Sequence, residues 1–221
     1  MEDVAQALWL SFRVATLATV VAALVGIPLA FVMARRRFFG KSFLEALILL
    51  PMVLPPTVVG YLLLMSLGAR GWLSPLLGGY SIVFKFEGAV LAAAVVALPM
   101  LYIPAKAGFA SVERELEDIA VLMGANPWQL FWNVSVPLAV RGLGSGFVLA
   151  FARALGEFGA TVMVFGFQPG KQTLPISIYA DFEQGELSNA TAAVVLLSVV
   201  SFGLVMLYNR SAIGRQIGAR E

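Results

Sequence analysis

The sequence predicts an all-α integral membrane protein with about five transmembrane helices. Of its 221 residues, 60% are hydrophobic and only 13% are charged, whereas soluble domains carry about 45–50% apolar and about 25% charged residues. The mean hydropathy is +0.88. So few charges leave too little polar surface to cover a soluble globule, and the chain lacks the charge-rich or low-complexity tracts that are typical of disorder.

Five apolar stretches have the length that a membrane span needs. A bilayer core about 30 Å thick requires about 20 apolar residues in a helix. The first stretch follows the acidic residues Glu2 and Asp3, and its basic cluster comes after it, so we expect a permanent span rather than a cleaved signal peptide. The sequence predicts one transmembrane domain over residues 1–221, with spans near 14–34, 46–69, 88–105, 142–167 and 189–208.

The distribution of basic residues predicts the orientation. Five spans put the two termini on opposite sides, and cytoplasmic loops are enriched in Lys and Arg. With the N-terminus outside, ten basic residues fall inside and four outside. The inner set is Arg35, Arg36, Arg37, Lys41, Lys106, Arg114, Arg141, Arg210, Arg215 and Arg220, and the outer set is Arg13, Arg70, Lys85 and Lys171. We therefore expect the N-terminus outside and the C-terminus in the cytoplasm.

Prolines interrupt the second span most strongly at residues 50–57, which include Pro51, Pro55 and Pro56 and end at Thr57. A proline inside a helix removes a backbone hydrogen bond, and in lipid the freed carbonyl group needs a protein or water partner. Two interpretations stay open. The segment either lines a transport pathway, with the Thr57 hydroxyl available, or is a structural kink.

Small residues open the fourth span. Gly142 and Gly146 form a GxxxG pattern with Gly144 between them. Such patterns permit close approach of two helices, so we expect helix packing here rather than a ligand site.

Arg153 and Glu157 are the charges that lie well inside a predicted span. At positions i and i+4 they should share one helix face, and charges inside a membrane usually face a partner or an aqueous cavity. Two interpretations stay open. Either the two residues form an ion pair that neutralises both charges and fixes helix packing, or Arg153 lies beside the route of an anion and Glu157 holds the Arg153 side chain in place. Thr161 completes the set of candidate pathway residues.

Several enzyme classes are excluded by composition. The chain has no Cys and no His, which rules out Cys/His zinc sites, cysteine enzymes and triads that use His. Gly40-Lys41-Ser42 resembles the end of a Walker A loop, but Arg35 stands where its first glycine is required. A Lys106–Ser111 pair has no evident oxyanion hole. We therefore expect neither an enzyme nor a cofactor in this chain.

The sequence of the loop over residues 111–137 predicts two short helices that are separated by a glycine turn. Ser111 is the expected cap of the first helix, Gly124 its stop, Asn126 the cap of the second and Pro127 its first residue. The apolar face consists of Val112, Leu116, Ile119 and Met123 in the first helix and Trp128, Phe131 and Trp132 in the second.

The charge of this loop indicates a protein partner. It carries four acidic residues against one arginine before the glycine, and anionic inner-leaflet lipid repels such a helix. A solvated connector is the alternative, but clustered exposed aromatic residues usually mark a contact.

The same loop resembles the cytoplasmic EAA loop of permease subunits of bacterial and archaeal ABC importers, whose pattern is E-A-A-x3-G-x9-I-x-L-P. Here the pattern runs from Asp118-Ile119-Ala120 through Gly124 to Val134-Ser135-Val136-Pro137, with the same spacing and mild substitutions. The resemblance implies a coupling helix that docks in a cleft of a cytoplasmic ATPase subunit. The implied coupling residues are Glu117, Asp118, Ala120, Gly124, Ala125, Pro127 and Pro137.

Four further stretches, residues 11–15, 54–60, 152–161 and 169–175, resemble molybdate (ModB-type) permeases. The resemblance implies an inner-membrane permease for molybdate or tungstate, with sulfate or another oxyanion as the alternative substrate. It also implies a permease homodimer, two ATPase subunits that hold ATP and Mg, and an extracytoplasmic oxyanion-binding protein. Two interpretations of the longer outer loops, 66–87 and 168–188, stay open: they are either the docking surface for that protein or ordinary solvated loops.

A self-contained anion channel or secondary transporter is the alternative of a different class. It would use the proline breaks and Arg153 directly. It should also show paired broken helices in two repeated halves, and the sequence contains no convincing internal repeat.

Overall fold

The computed structural model describes residues 2–69, 71–78, 80–168 and 170–217. Within those ranges the secondary structure is helical, without a strand. Arg70, Pro169 and Arg220, used above for orientation and resemblance, lie outside the described residues. The predicted orientation of the termini stays a prediction.

Most of the helices follow one another with short connections, and the longest connection, residues 68–85, joins the third helix to the fourth. In chain order they are α1 (Glu2–Arg35), α2 (Lys41–Val53), α3 (Pro56–Leu67), α4 (Phe86–Ala110), α5 (Arg114–Leu122), α6 (Pro127–Gln129), α7 (Val136–Leu138), α8 (Val140–Leu155), α9 (Gly159–Phe165), α10 (Leu174–Glu183) and α11 (Leu187–Ile217). A 3-10 turn covers Ser74–Leu77, and a π-helical turn, Leu130–Ser135, joins α6 to α7.

Three helices are long and apolar enough to cross a membrane, namely α1, α4 and α11. Two bent helix pairs could each count as one further span. Helices α2 and α3 meet at 114°, and the segment Pro127–Leu138 meets α8 at 76°. The described residues therefore contain three to five candidate spans, and the predicted number is the upper value.

Helix α4 lies at the centre of the molecule, between α1 and α8. Its buried positions are mostly small, including Ala89, Ala93, Ala97 and Ala105. Small residues allow helix backbones to approach closely inside a membrane. Both α1 and α4 are longer than predicted, and they continue through Pro28 and through Pro99 and Pro104, respectively.

The glycines of α8 pack against α4, which confirms the packing interpretation of the GxxxG pattern. A Cβ atom on Gly142 would lie 2.5 Å from the carbonyl oxygen of Pro104, and one on Gly146 would lie 2.8 Å from that of Leu101. A Cβ on Gly144 would meet nothing within 4 Å.

The stretch predicted as the fourth span, residues 142–167, is not a single helix. Helix α8 ends at Leu155, and α9 begins at Gly159. The start of α9 is stabilised because the Glu157 carboxylate accepts a hydrogen bond from the backbone N–H of Ala160, at 2.7 Å. The stretch 168–188 was predicted to be a loop. It contains α10, so the loop prediction is wrong for the residues of that helix.

Candidate functional site

The loop between α4 and α8 folds as two helices around a glycine turn, as predicted. Gly124 has a φ of +90°, which favours glycine and ends α5. Directly after Gly124, the N–H of Ala125 donates to the carbonyl of Ala120 at 3.0 Å. Asn126 and Gln129 form a capping box at the start of α6, with bonds of 2.8 and 3.0 Å.

The expected role of Ser111 as a helix cap is wrong. Helix α4 extends to Ala110, so Ser111 is the residue that ends α4, and its hydroxyl donates to the carbonyl of Gly108 at 2.8 Å. The residue preceding α5 is Glu113, whose side chain makes no capping hydrogen bond.

An exposed apolar surface covers the end of the loop. Leu122 is 87% exposed, Met123 84% and Trp128 71%. Leu116 and Ile119 of the predicted stripe are exposed too, whereas Val112 is buried against the transmembrane core. The three most exposed of these large apolar side chains lie within seven residues of one another, on both sides of the Gly124 turn. We call Leu122, Met123 and Trp128 the apolar tip.

A series of ring contacts connects the apolar tip to two long helices. The ring centroids of Trp128 and Trp132 are 5.7 Å apart, and those of Trp132 and Phe131 are 5.1 Å apart. Phe131 then contacts Phe31 of α1 at 5.1 Å, and Phe31 contacts Phe109 of α4 at 5.3 Å. These separations are typical of stabilising edge-to-face pairs. The loop is thus packed onto the C-terminal ends of α1 and α4.

Glu117 has a different environment from the other acidic residues of the loop. It is buried, whereas Asp118 beside it is exposed. The Glu117 Oε1 atom accepts hydrogen bonds from the Arg35 guanidinium, at 2.9 and 3.2 Å, and from the Ser135 hydroxyl, at 2.6 Å. Of the predicted coupling residues, Asp118, Pro127 and Pro137 are exposed, and Glu117 faces the interior.

The two interrupted spans meet at a second candidate site. A Cβ on Gly159, at the start of α9, would lie 3.0 Å from the Cβ of Pro56 and 3.1 Å from the backbone nitrogen of Thr57. Helix α3 then packs along α9, where a Cβ on Gly60 would lie 2.7 Å from the Cα of Ala160. We call this contact between Pro56–Thr57 and Gly159 the break junction.

Arg153 and Glu157 form an ion pair beside the break junction, with Arg153 Nη1 2.5 Å from Glu157 Oε2. The prediction that both lie on one helix face is wrong, because α8 ends before Glu157. The pair bridges the interruption instead. Glu157 is 3% exposed, and Thr161 of α9 is buried with a hydroxyl that has no hydrogen-bond partner among the described residues. Pro55 and Thr57 are exposed on the protein surface.

The structure does not form a Ser–Lys pair from Lys106 and Ser111. The Lys106 ammonium group pairs with the Glu45 carboxylate, which also accepts a hydrogen bond from the Tyr102 hydroxyl at 3.3 Å. The Ser111 hydroxyl is occupied by the carbonyl of Gly108.

A cavity of about 510 Å³ lies at the opposite end of the molecule from the loop. The beginning of α1 contributes Gln6 and Trp9, the segment before α10 contributes Lys171, and α10 contributes Ser177 and Asp181. The second predicted outer surface, 168–188, therefore forms a concave wall with the N-terminal helix.

Sequence reasoning missed Arg35, Ser135 and Phe31 as partners of the loop. Arg35 is the first of three consecutive arginines, and nothing in the run itself distinguishes it from the other two. In the structure Arg35 binds Glu117, whereas Arg36 and Arg37 are exposed. The one available signal was the unbroken apolar helix before Arg35, which places Phe31 and Arg35 on one face, four residues apart.

Comparison with known proteins gives consistent results. A family model described as "Binding-protein-dependent transport system inner membrane component" matches residues 26–216. The Bacillus subtilis (strain 168) protein "Putative molybdenum transport system permease protein YvgM" is 43% identical over 197 residues, covering 87% of each chain. The Escherichia coli (strain K12) protein "Molybdenum transport system permease protein ModB" is 37% identical over 221 residues, covering 97% of this chain and 96% of the relative.

Among solved structures, the fold is similar to a chain of a bacterial alginate ABC transporter in complex with an alginate pentasaccharide-bound periplasmic protein. The TM-score is 0.73 at 19% sequence identity, and the match covers 98% of this chain and 80% of the other. At this identity the similarity shows the fold alone.

Proposed function

The chain belongs to the family of binding-protein-dependent transport system inner membrane components, and we propose that it is the permease subunit of an ATP-driven importer for molybdate. The two relatives named as molybdenum transport permeases support this substrate, because their similarity extends over most of both chains. Tungstate has the same tetrahedral dianion chemistry and is the closest alternative. ATP and Mg would be held by a separate cytoplasmic ATPase subunit.

The observation that carries the proposal is the apolar tip. Burial of apolar surface stabilises a complex by about 25 cal/mol per Å², and this cluster is left uncovered by the rest of the described chain. Because α5 is acidic in its first turn, an anionic lipid surface is a poor partner for it. A cleft in an ATPase subunit that has an apolar floor and a basic rim would suit both the exposed tip and the neighbouring acidic charge.

Helix α8 would connect the docked loop to the pathway. It begins next to the loop, at a 76° bend after Leu138, and its last turn carries Arg153. At 1.5 Å per residue, its length is about 24 Å. Closure of the ATPase subunits on ATP would move the loop as a packed unit, and α8 would transmit that movement to the break junction.

The pathway is proposed to lie between two copies of this chain, beside the break junction. Pro55 and Thr57 would face the route, and Arg153 would attract the oxyanion while Glu157 and Thr161 lie behind it. An extracytoplasmic binding protein would dock over residues 66–87 and 168–188 and the nearby cavity. Selectivity would reside mainly in that binding protein, because the break junction offers few hydrogen-bond donors for a desolvated dianion.

Reconstitution in liposomes with the ATPase subunit and the binding protein tests this function. We expect molybdate to stimulate ATP hydrolysis and its own uptake, and sulfate at the same concentration to stimulate neither. Stimulation by sulfate alone would reassign the substrate. Anion flux through the purified chain without its partners would instead favour the self-contained channel.

A further inference from the structure

We infer that Arg35, Glu117 and Ser135 form a buried polar clamp that makes the inner end of α1 move together with the coupling loop. Arg35 and Ser135 are thereby positioning residues for coupling. The inference rests on the proposed function for its transport readout, but its geometry and its structural readout do not depend on that function.

The clamp joins three segments of the chain at the Glu117 carboxylate, and the Arg35 guanidinium connects a fourth. Arg35 is the last residue of α1, Glu117 lies in α5 and Ser135 ends the π-helical turn. Besides its two bonds to Glu117, the Arg35 guanidinium donates to the carbonyl of Val112, in the connection between α4 and α5, at 3.2 Å. The side chains of Arg35 and Glu117 are only 11% and 10% exposed.

The burial of this pair argues against an ordinary surface contact. A carboxylate taken out of water needs strong partners, and hydrogen bonds with a charged group are shorter and stronger than neutral ones. A surface ion pair tolerates rearrangement, whereas removal of one partner from a buried pair leaves an uncompensated charge. The clamp therefore holds one arrangement of the loop against α1.

Burial also changes the role of Glu117. The resemblance to the EAA loop places this residue among those that contact the ATPase, but its carboxylate is directed at α1 and the π-helical turn. Single π-helical turns inside α-helices occur frequently at functional sites, and here the turn brings Ser135 to Glu117 and Phe131 to Phe31. Force applied at the apolar tip thus reaches α1 directly, in addition to α4 and α8, which are covalently connected to the loop.

The test compares Glu117→Gln, Arg35→Gln and the double variant with exposed controls, Arg37→Gln in the coupling assay and Glu115→Gln in the exchange assay below. In the assembled transporter, we expect each single clamp variant to retain the ATPase subunit. The ratio of molybdate-stimulated to basal ATP hydrolysis should fall by about fivefold or more, the lower range of allosteric coupling. The double variant should be no worse than either single variant, because the two residues act as one unit. Arg37→Gln should keep the wild-type ratio.

Hydrogen–deuterium exchange of the full-length permease supplies a readout that does not need transport. Glu117→Gln should accelerate amide exchange both in residues 114–135 and at the inner end of α1, and Glu115→Gln should not. Ser135→Ala removes one of the three hydrogen-bond donors to Glu117. It serves as the test variant if Glu117→Gln fails to fold, and it should accelerate amide exchange at the same two places by a smaller amount. Exchange equal to that of the Glu115→Gln control, or additive losses in the double variant, would overturn the clamp. If the ATPase subunit does not bind the wild-type permease, the proposed function is overturned. The exchange comparison would still decide whether the clamp exists, because it needs the permease alone.

Discussion

At the scale of single residues, Gly124, Gly142 and the Arg153–Glu157 pair are important for three different physical reasons. Gly124 adopts a positive φ in open space, so its importance is conformational. Gly142 has an ordinary helical backbone but lies against α4, so its importance is steric. Arg153 and Glu157 are important as a pair, because the carboxylate is buried and would be unbalanced without the arginine.

Gly124→Val should disrupt coupling while the protein still inserts in the membrane. A left-handed backbone costs a residue with a Cβ atom about 1–2 kcal/mol, and more when the residue is β-branched. Gly124→Asn is the matched control, since asparagine tolerates this conformation. We expect molybdate-stimulated ATP hydrolysis to be lost in the valine variant and largely kept in the asparagine variant. Equal activity of both would contradict the conformational role.

Gly142→Ala should destabilise the permease, and Gly144→Ala should not. The added methyl at Gly142 would overlap backbone atoms of α4, and overpacking of this kind typically costs about 1–3 kcal/mol. Gly144 faces open space, where alanine is the better helix former. Thermal unfolding in detergent measures both variants. A midpoint that does not fall for Gly142→Ala would show that α4 and α8 are less tightly packed than described.

Arg153→Gln should lower oxyanion uptake, and the paired change Glu157→Gln should not restore it. The single variant leaves a buried carboxylate uncompensated, which typically costs about 3–5 kcal/mol. The neutral double variant removes that penalty but also removes the cation that would attract the anion. Uptake per folded permease in proteoliposomes is the measurement. Recovery of uptake in the double variant would show that the pair serves helix packing alone.

At the scale of elements, local signals predicted the loop well and the spans less well. Gly124, Asn126 and Pro127 act within a few residues, so the turn and the capping box were readable from the sequence. The interruption at Pro55–Pro56 was readable for the same reason. The break before Gly159 could not be read from the sequence. It depends on the buried Glu157 carboxylate and on packing against α3, and neither leaves a periodic pattern. The inward turn of Arg35 likewise depends on a partner 82 residues away.

Trp128→Ala should weaken binding of the ATPase subunit to the loop. Buried tryptophans at the centre of an interface commonly contribute about 2 kcal/mol or more, which corresponds to an affinity loss of about 30-fold. Trp72 lies in the segment between α3 and α4 and is equally exposed, at 73%, so Trp72→Ala is the matched control. Affinity for the purified ATPase subunit in detergent should fall only for Trp128→Ala. An equal effect of both variants would exclude a specific role for the apolar tip.

At the scale of the whole molecule, the two candidate sites lie at opposite ends of one helix. Helix α8 runs from the loop to the Arg153–Glu157 pair, and α4 packs along α1 and α8. The ring contacts and the buried polar clamp fix the loop to α1 and α4. An external force on the loop would therefore move several long helices together, as a transporter that is powered by a separate subunit requires.

Labelling and cross-linking of two single-cysteine variants would show whether the apolar tip lies in the cytoplasm and docks on the ATPase subunit. The chain contains no cysteine, so Met123→Cys provides a unique thiol in the apolar tip, and Lys171→Cys provides one on the predicted outer surface. In intact cells, a membrane-impermeant maleimide should label Lys171→Cys and not Met123→Cys, and Met123→Cys should cross-link to the ATPase subunit in isolated membranes. Labelling of Met123→Cys from outside, without a cross-link to the ATPase, would contradict the proposed coupling.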